Sequence, residues 1–501
     1  MTESRQDAFF NILSASGLAV AYSDIRLKSG YSEKVPSEVT VAGQFSRRVP
    51  LKIPIVSAAM DTVTEHGMAI AMAQLGGLGV IHRNFTPEQQ ASEVAKVRRH
   101  MNGLIEQPVW VLDTDTVADI LERRDREGLS FHSFPVVNNK GRLVGIVVHN
   151  DFDLCNDLSA PVSSIMGTNL VNAVHDTSLS LAAEIMRKTK RQVLPLTDET
   201  GALAGMYIYS DVKRIASANL DGCNLDEDGH LRVAAAIGTG ADTAQRVELL
   251  AAEGVDAVVI DTAHADSKSV YAVLKDIKSN YPDLDVVVGN VSEADSAKRL
   301  LDAGADGIKI GQGPGSICTT RIIAGIGCPQ ATAVYECAKA VRGSGVPVCA
   351  DGGITSSGDI TIALSLGAQC VMLGKLLAGT DESPGETSIY QGSKVKFYRG
   401  MGSLGAMKAS QGSRERYGQG ASKKDKLVPE GIEGVVPYGG SLRDVMHQQV
   451  GGLRSGMGYV GAATVEELQE KADYYRITSA GLGESHPHDI TITAEAPNYG
   501  R

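Results

Sequence analysis

The sequence predicts an α/β fold, a (β/α)8 TIM barrel interrupted once by a smaller two-fold repeat. Three observations carry that expectation. Eight short apolar runs, most of them rich in β-branched residues, come with helical stretches between most of them, the pattern of a parallel sheet buried under helices. Polar residues and glycines recur where those runs end. The one long gap in the alternation, residues 102–216, holds a segment repeated at an offset of 60 residues.

In order, the runs are Ile53–Val56, Gly79–His82, Val233–Ile237, Ala257–Ile260, Val286–Val288, Ile308–Ile310, Val346–Cys349 and Cys370–Leu373. Three of them follow nearly one phrase: Glu253-Gly-Val-Asp256, Ala303-Gly-Ala-Asp306 and Leu366-Gly-Ala-Gln369. A glycine there ends a helix before the next strand begins. Just past the strands stand Ser57, Asp261, Asn290, Gly311, Asp351-Gly352-Gly353 and Gly374-Lys375. Barrels of this kind build their sites from these loops and hold phosphate after strands seven and eight. Any one of these polar ends is compatible with turn chemistry, but together they point to a site.

Within the gap, Pro135, Gly141, Gly145 and Asp151 correspond to Pro195, Gly201, Gly205 and Asp211. Each copy reads as helix, strand, glycine turn, strand, then an aspartate opening a helix. The barrel is therefore expected over 1–101 and 217–501, with the insert at 102–216. After the eighth run, residues 379–440 are rich in Gly, Ser, Lys and Arg and lack apolar periodicity. A connection that long is functional or disordered, and 391–440 is expected to form a flap.

The stretch with the most chemistry runs from Gly311 to Arg321. The strand Ile308-Lys309-Ile310 leads into alternating glycines (311, 313 and 315), then Ser316, Cys318, Thr319 and Thr320. Such glycines let the backbone turn sharply and offer N–H groups to an anion. A cysteine above such a loop is a candidate nucleophile. A plain turn with a buried thiol and a dinucleotide fingerprint are the other readings. The spacing G-x-G-x-G departs from the G-x-G-x-x-G of the fingerprint.

Bulk properties exclude several classes. A net charge of −11 argues against nonspecific nucleic-acid binding while leaving small anionic ligands open. Seven cysteines without a C-x-x-C pair suit reduced thiols rather than a disulfide framework or zinc site. With no signal pattern at the N-terminus and no apolar run of membrane length, a cytoplasmic protein is expected.

On these motifs the chain resembles the inosine-5′-monophosphate (IMP) dehydrogenase family, bacterial type, over nearly its whole length. Pro54 to Glu65, Gly313 to Arg321, Asp351-Gly-Gly-Ile354 and Tyr398-Arg-Gly-Met-Gly-Ser403 look like the family's signatures. The N-terminal segment Tyr22–Lys28 follows its pattern only loosely. The insert is similar to a tandem CBS pair, or Bateman domain, which in such proteins binds adenine or guanine nucleotides. Asn150-Asp151 and Ser210-Asp211 stand where those modules hold a ribose, and a structural insert without ligand is the other reading.

The resemblance implies oxidation of IMP to XMP with NAD, in guanine nucleotide synthesis. Cys318 would attack purine C2, hydride would leave C2, and water would hydrolyse the adduct. Arg416 with Tyr417 matches the flap pair that activates this water. An arginine base is costly, since the group's pKa exceeds about 12. Thr320 with Glu430 therefore stands as a parallel relay. For IMP the resemblance implies Ser57, Ser316, Asp351, Gly352, Gly353, Gly374, Tyr398, Arg399, Gly400, Met401, Gly402 and Glu430. Lys375 replaces a serine common in the family and is expected to pair with the 5′-phosphate.

For NAD it implies Asp261, Thr262, Ala263, Asn290, Gly311, Gln312 and Gly313, with Tyr459 from a neighbouring subunit; packing is the other reading of Tyr459. A potassium ion would take carbonyls of Gly313, Gly315 and Cys318, with Glu484, Ser485 and His486 from the next subunit. A shared site implies a homotetramer, and CBS pairs would join two into an octamer. The nearest rival is GMP reductase, which shares barrel, cysteine and threonine but reduces GMP with NADPH. It lacks the Arg-Tyr pair, so Arg416-Tyr417 and Pro429–Gly434 favour the dehydrogenase. A CBS nucleotide sensor, the rival of another class, needs neither the Cys318 loop nor a flap.

Overall fold

A computed structural model of the chain describes residues 4–100, 104–105, 108–127, 133–217, 220–423, 425–494 and 496–499. It divides into two units, Met1–Arg98 with Gly222–Arg501, and Arg99–Asp221. The insert edge expected at 102 falls outside the described residues.

All eight expected runs form strands, and they close a parallel barrel. The strands are β1 (Ile55–Ser57), β2 (Leu78–Ile81), β3 (Val233–Ile237), β4 (Ala257–Asp261), β5 (Asp285–Val291), β6 (Gly307–Ile310), β7 (Val348–Asp351) and β8 (Cys370–Leu373). Each pairs with the next, and β8 returns to β1. Several strands extend past the last apolar residue. Ser57, Asp261 and Asp351 are thus final strand residues rather than loop residues, and Asn290 lies inside β5. Backbone pairing sets where a strand ends, and polar side chains are tolerated where they face the barrel mouth.

The recurrent phrase before β4, β6 and β8 has a double use. Gly254, Gly304 and Gly367 have φ of +73°, +93° and +108°, the left-handed turn that stops the preceding helix. The residue two places on then accepts a bond from the N–H near the start of the strand before. Asp256 accepts from Val233 at 2.8 Å, Asp306 from Val286 at 3.0 Å and Gln369 from Val348 at 2.8 Å. Glutamine keeps the acceptor while dropping the charge, which explains the one departure in the phrase.

Small and branched residues fill the interior, among them Val56, Val80, Ala234, Val259, Val287 and Cys349, all without exposed surface. A hairpin of Gly43–Ser46 and Val49–Leu51 packs Phe45 into this core. Asp285, at the start of β5, holds the hairpin through Ser46 Oγ (2.6 Å) and the Arg48 N–H (2.8 Å) and Nε (2.7 Å). The floor is sealed, and the opposite end is left to chemistry.

The segment after β8 is not the irregular stretch its composition predicts. Strands β9 (Thr387–Tyr390), β10 (Ser393–Arg399) and β11 (Glu433–Pro437) form an antiparallel sheet. Short helices Leu404–Ala409 and Gln411–Arg416 lie between its last two strands. The sheet is mostly exposed, β9 entirely so, and a ribbon wetted on both faces shows no apolar alternation.

The second unit repeats itself as the sequence does. In one sheet Phe134 pairs with Val147 and Val136 with Gly145; in the other Leu194 pairs with Tyr207 and Leu196 with Gly205. Every one of these positions is shifted by 60. Gly141 and Gly201, at φ +74° and +80°, make the equivalent turns. The side chain of Asp211 lies outside the described residues. No helix among the described residues is long and apolar enough to cross a membrane.

Candidate active site

Gly311 has φ +146°, and a Cβ there would fall 2.1 Å from the Asp351 carbonyl oxygen. Only glycine lets the loop after β6 press against β7 at this point. Gly313 also needs its positive φ, whereas Gly315 adopts an ordinary conformation in which a Cβ would make only an ordinary contact with Cys318. Two of the three alternating glycines are therefore required by the turn. The chain then presents Cys318, whose N–H donates to the Gly315 carbonyl at 3.0 Å and whose thiol donates to Thr320 Oγ1 at 3.1 Å. Arg321 fastens the loop from behind, donating from Nε to the Gln312 carbonyl at 3.0 Å.

Beneath the loop lies a charge cluster that reading the sequence missed. Lys309, 1% exposed, reaches Asp351 Oδ2 at 2.5 Å, Asp261 Oδ1 at 3.0 Å and Asn290 Oδ1. Asn290 in turn donates to the Gly311 carbonyl at 2.6 Å and to Asp351 at 2.9 Å. A lone buried cation is costly, and two carboxylates with an amide oxygen offset that cost. One side chain thus fixes the ends of β4, β5 and β7 relative to the cysteine loop. The signal was present: Lys309 is the one charge in the run Ile308–Ile310. Lys309→Met should destabilise the barrel by about 3 kcal/mol, because it leaves buried carboxylates short of a partner. Denaturant titration of the barrel transition measures this, and a loss under about 0.5 kcal/mol, the range of a surface change, would contradict it.

The flap folds over this cluster. Arg416 forms an ion pair with Asp261, and its carbonyl accepts from the Ala263 N–H at 3.0 Å. Tyr417 follows; burial pushes its phenol up, partly offset by Arg416. Backbone bonds knit the flap to the cysteine loop, Thr319 N–H to the Glu430 carbonyl and Ile432 N–H to the Ile317 carbonyl, and Glu430 N–H to the Gly402 carbonyl ties the flap to itself, each 3.0 Å. These elements enclose a cavity of about 260 Å³ lined by Cys318, Thr320, Asp351, Lys375, Tyr398, Arg416, Tyr417 and Glu430.

Comparison with known proteins decides the family. Residues 19–488 match the model described as the IMP dehydrogenase / GMP reductase domain. The chain belongs to that family. It is 52% identical over 484 residues to the inosine-5′-monophosphate dehydrogenase of Aquifex aeolicus, covering 96% of this chain and 97% of that protein. The Escherichia coli K12 protein of the same name is 45% identical over 483 residues, covering 96% and 98%. Among solved structures, a C318A variant of GMP reductase from Trypanosoma brucei, in complex with guanosine 5′-monophosphate, superposes with a TM-score of 0.84. It is 38% identical and covers 95% of this chain and 100% of that one.

Most residues expected from the family resemblance line this single cavity, including Ser316, Gly352, Gly353, Gly374, Gly400, Met401, Asp261, Thr262, Ala263, Asn290, Gly311, Gln312 and Gly313. Four lie elsewhere. Ser57 is fully buried and accepts from Thr64 Oγ1 at 2.9 Å. Arg399 spends its guanidinium on Asp61, with Nη2 to Oδ2 at 2.6 Å. Gly402 backs the Tyr417 ring, and Tyr459 is 72% exposed on helix Leu442–Val460. Glu484, Ser485 and His486 are exposed at the end of helix Ser479–Glu484, where the Ser485 hydroxyl donates to the Gly481 carbonyl at 2.8 Å. Besides Lys309, sequence reading missed Gln330. Its amide donates to the Ile310 and Asp351 carbonyls at 2.9 and 3.1 Å, a backbone contact that leaves no mark in a motif.

Proposed function

We propose that this family member oxidises IMP to XMP, with NAD as the acceptor, through a covalent bond to Cys318. The observation that carries this reading is that Cys318 and the pair Arg416-Tyr417 line one cavity. The thiolate adds to C2, C2 loses its hydride, and Cys318 is left bonded to C2 as a thioimidate. Water then adds at C2, the C–S bond breaks, and XMP and a free thiol result. Splitting one difficult substitution into two steps is the usual gain from a covalent nucleophile.

The chain's own residues divide the work. Asp351 accepts from a ribose diol, held in place by Lys309 and Asn290. Asp261, Thr262, Ala263 and Gln312 line the same cavity and suit a dinucleotide. With Arg416 withdrawn, Lys309 faces two carboxylates, a net negative wall. Bound NAD would supply the hydride acceptor, and its cationic nicotinamide suits that wall. Arg416 and the Ala263 N–H contact occupy those same groups when the flap is down. Flap and cofactor therefore exclude one another, and hydride transfer and hydrolysis use one cavity in turn. Arg416 beside Tyr417 places polar groups to hold and deprotonate water. Thr320 with Glu430 is the second route, although here the Thr320 hydroxyl meets the Cys318 sulfur.

Lys375 lines the cavity after β8, is exposed, and makes no ion pair with another described residue. It is placed to meet a 5′-phosphate. Lys375→Ser should raise the KM for IMP about tenfold, the worth of one partly exposed charge-assisted bond. An unchanged KM would remove that role.

Further features of the reading rest on the family resemblance. Carbonyls of Gly313, Gly315 and Cys318, all uncharged oxygens of one turn, suit a monovalent cation such as potassium. Exposed Glu484–His486 suits donation to a neighbouring copy in a homotetramer. The second unit reads as a tandem CBS pair for a purine nucleotide.

The assay mixes protein, IMP and NAD in potassium buffer and follows NADH absorbance. Turnover of GMP with NADPH, and none with IMP and NAD, would transfer the assignment to GMP reductase. The expected result is NADH formation from IMP and NAD, which the dehydrogenase relatives at 45–52% identity, against 38% for the reductase, support.

A further inference from the structure

We propose that Arg83, in the loop after β2, is a positioning residue that seats the flap helix and thereby sets the rate of the hydrolytic half-reaction. The inference rests on the two-step reading above. Arg83 is 5% exposed, and its guanidinium bonds run to the flap. Nη2 donates to the Gly412 carbonyl at 2.6 Å, and Nη1 reaches Glu415 Oε2 at 3.5 Å. The next residue repeats the contact, with Asn84 Oδ1 accepting from Ser413 Oγ at 3.1 Å.

The barrel has a seat cut for this pair. Two glycines follow β3 in the phrase Ile237-Gly-Thr-Gly240. A Cβ on Gly238 would fall 1.8 Å from Arg83 Nη1, and one on Gly240 would fall 2.3 Å from Glu415 Oε2. Side chains at either position would displace the arginine or the glutamate.

Helix Gln411–Arg416 is thus clamped at two adjacent residues by different parts of the barrel mouth. Glu415 goes to Arg83 after β2, and Arg416 goes to Asp261 at the end of β4. Charges alternate along the row Arg83, Glu415, Arg416, Asp261, so each like-charged neighbour is separated by its opposite. Burial, with Arg416 nearby, lowers the Arg83 guanidinium to about 10. The Gly412 carbonyl and the Glu415 carboxylate offset that cost while the flap is down. Contacts made in one state alone bias the equilibrium toward it. Arg83 therefore favours the closed state, in which Arg416 and Tyr417 meet the adduct, and opposes cofactor binding at Asp261.

Stopped-flow mixing with IMP and NAD in potassium buffer tests this on the full chain. Arg83→Ala and Glu415→Gln should keep the first burst of NADH in rate and amplitude. Steady-state turnover should fall about tenfold or more in each, as for a lost charge-assisted contact. The double variant should be no slower than the worse single variant, because both remove one contact. Arg83→Lys, which retains one donor to the Gly412 carbonyl, should recover part of the rate. Glu415 lies on the flap, outside the barrel strands, so its variant stays informative if Arg83→Ala folds poorly. Equal loss of burst and turnover, no loss of turnover, or multiplied losses in the double variant would overturn the proposal. Absence of any burst in the unmodified protein would instead overturn the two-step reading beneath it.

Discussion

Replacing Cys318 with alanine should lower IMP turnover at least about a thousandfold while leaving IMP bound and the barrel folded. The thiol is partly exposed in the cavity, and among the described residues its side chain bonds to Thr320. The backbone bonds that shape the loop, Cys318 N–H to the Gly315 carbonyl and Thr319 N–H to the Glu430 carbonyl, survive the change. Alanine therefore removes the attacking atom without removing packing. NADH absorbance gives the rate, and calorimetric titration of IMP gives the binding. Turnover within about tenfold of the unmodified protein would dismiss a covalent route.

Arg416→Ala has the second largest effect, and a different shape. On the proposed division of labour hydride transfer does not use the closed flap, so a single burst of NADH should persist. Steady-state turnover should then fall about a hundredfold to a thousandfold, the usual share of a proton-transfer group. The substitution also strips the flap's ion pair from Asp261, so NAD should bind no more weakly than before. Thr320→Val is expected to matter less, because no hydrogen bond joins Thr320 to Glu430 among the described residues. A burst lost in proportion to turnover would place Arg416 in the first half-reaction and contradict the division of labour.

The barrel was legible because its strands are buried on both faces. Runs such as Val233–Ile237 and Cys370–Leu373 are apolar throughout and match the observed strands residue for residue. Their polar ends were legible as a site but not as strand residues, since pairing continues through Asp261 and Asp351 beyond the apolar signal. The flap sheet was illegible for the opposite reason: exposed strands such as Thr387–Tyr390 carry no alternation to read. Lys309 was overlooked because one charge between two isoleucines looks like noise until the topology brings Asp261 and Asp351 to it. Arg399 shows the converse case. It follows Tyr398 in a signature, but its side chain turns to Asp61, and a motif gives the positions of residues without their directions. Arg83 has no motif at all. Its meaning lies in two glycines more than a hundred residues away.

The covalent claim is tested most directly by quenching the reaction with acid during turnover and measuring the mass of the peptide that contains Cys318. With IMP and NAD, the Arg416→Ala protein should carry the purine nucleotide on that peptide in most of its copies. The unmodified protein should carry less, and Cys318→Ala none. Sustained NADH production by the Arg416→Ala protein with Cys318 unmodified throughout would contradict the account.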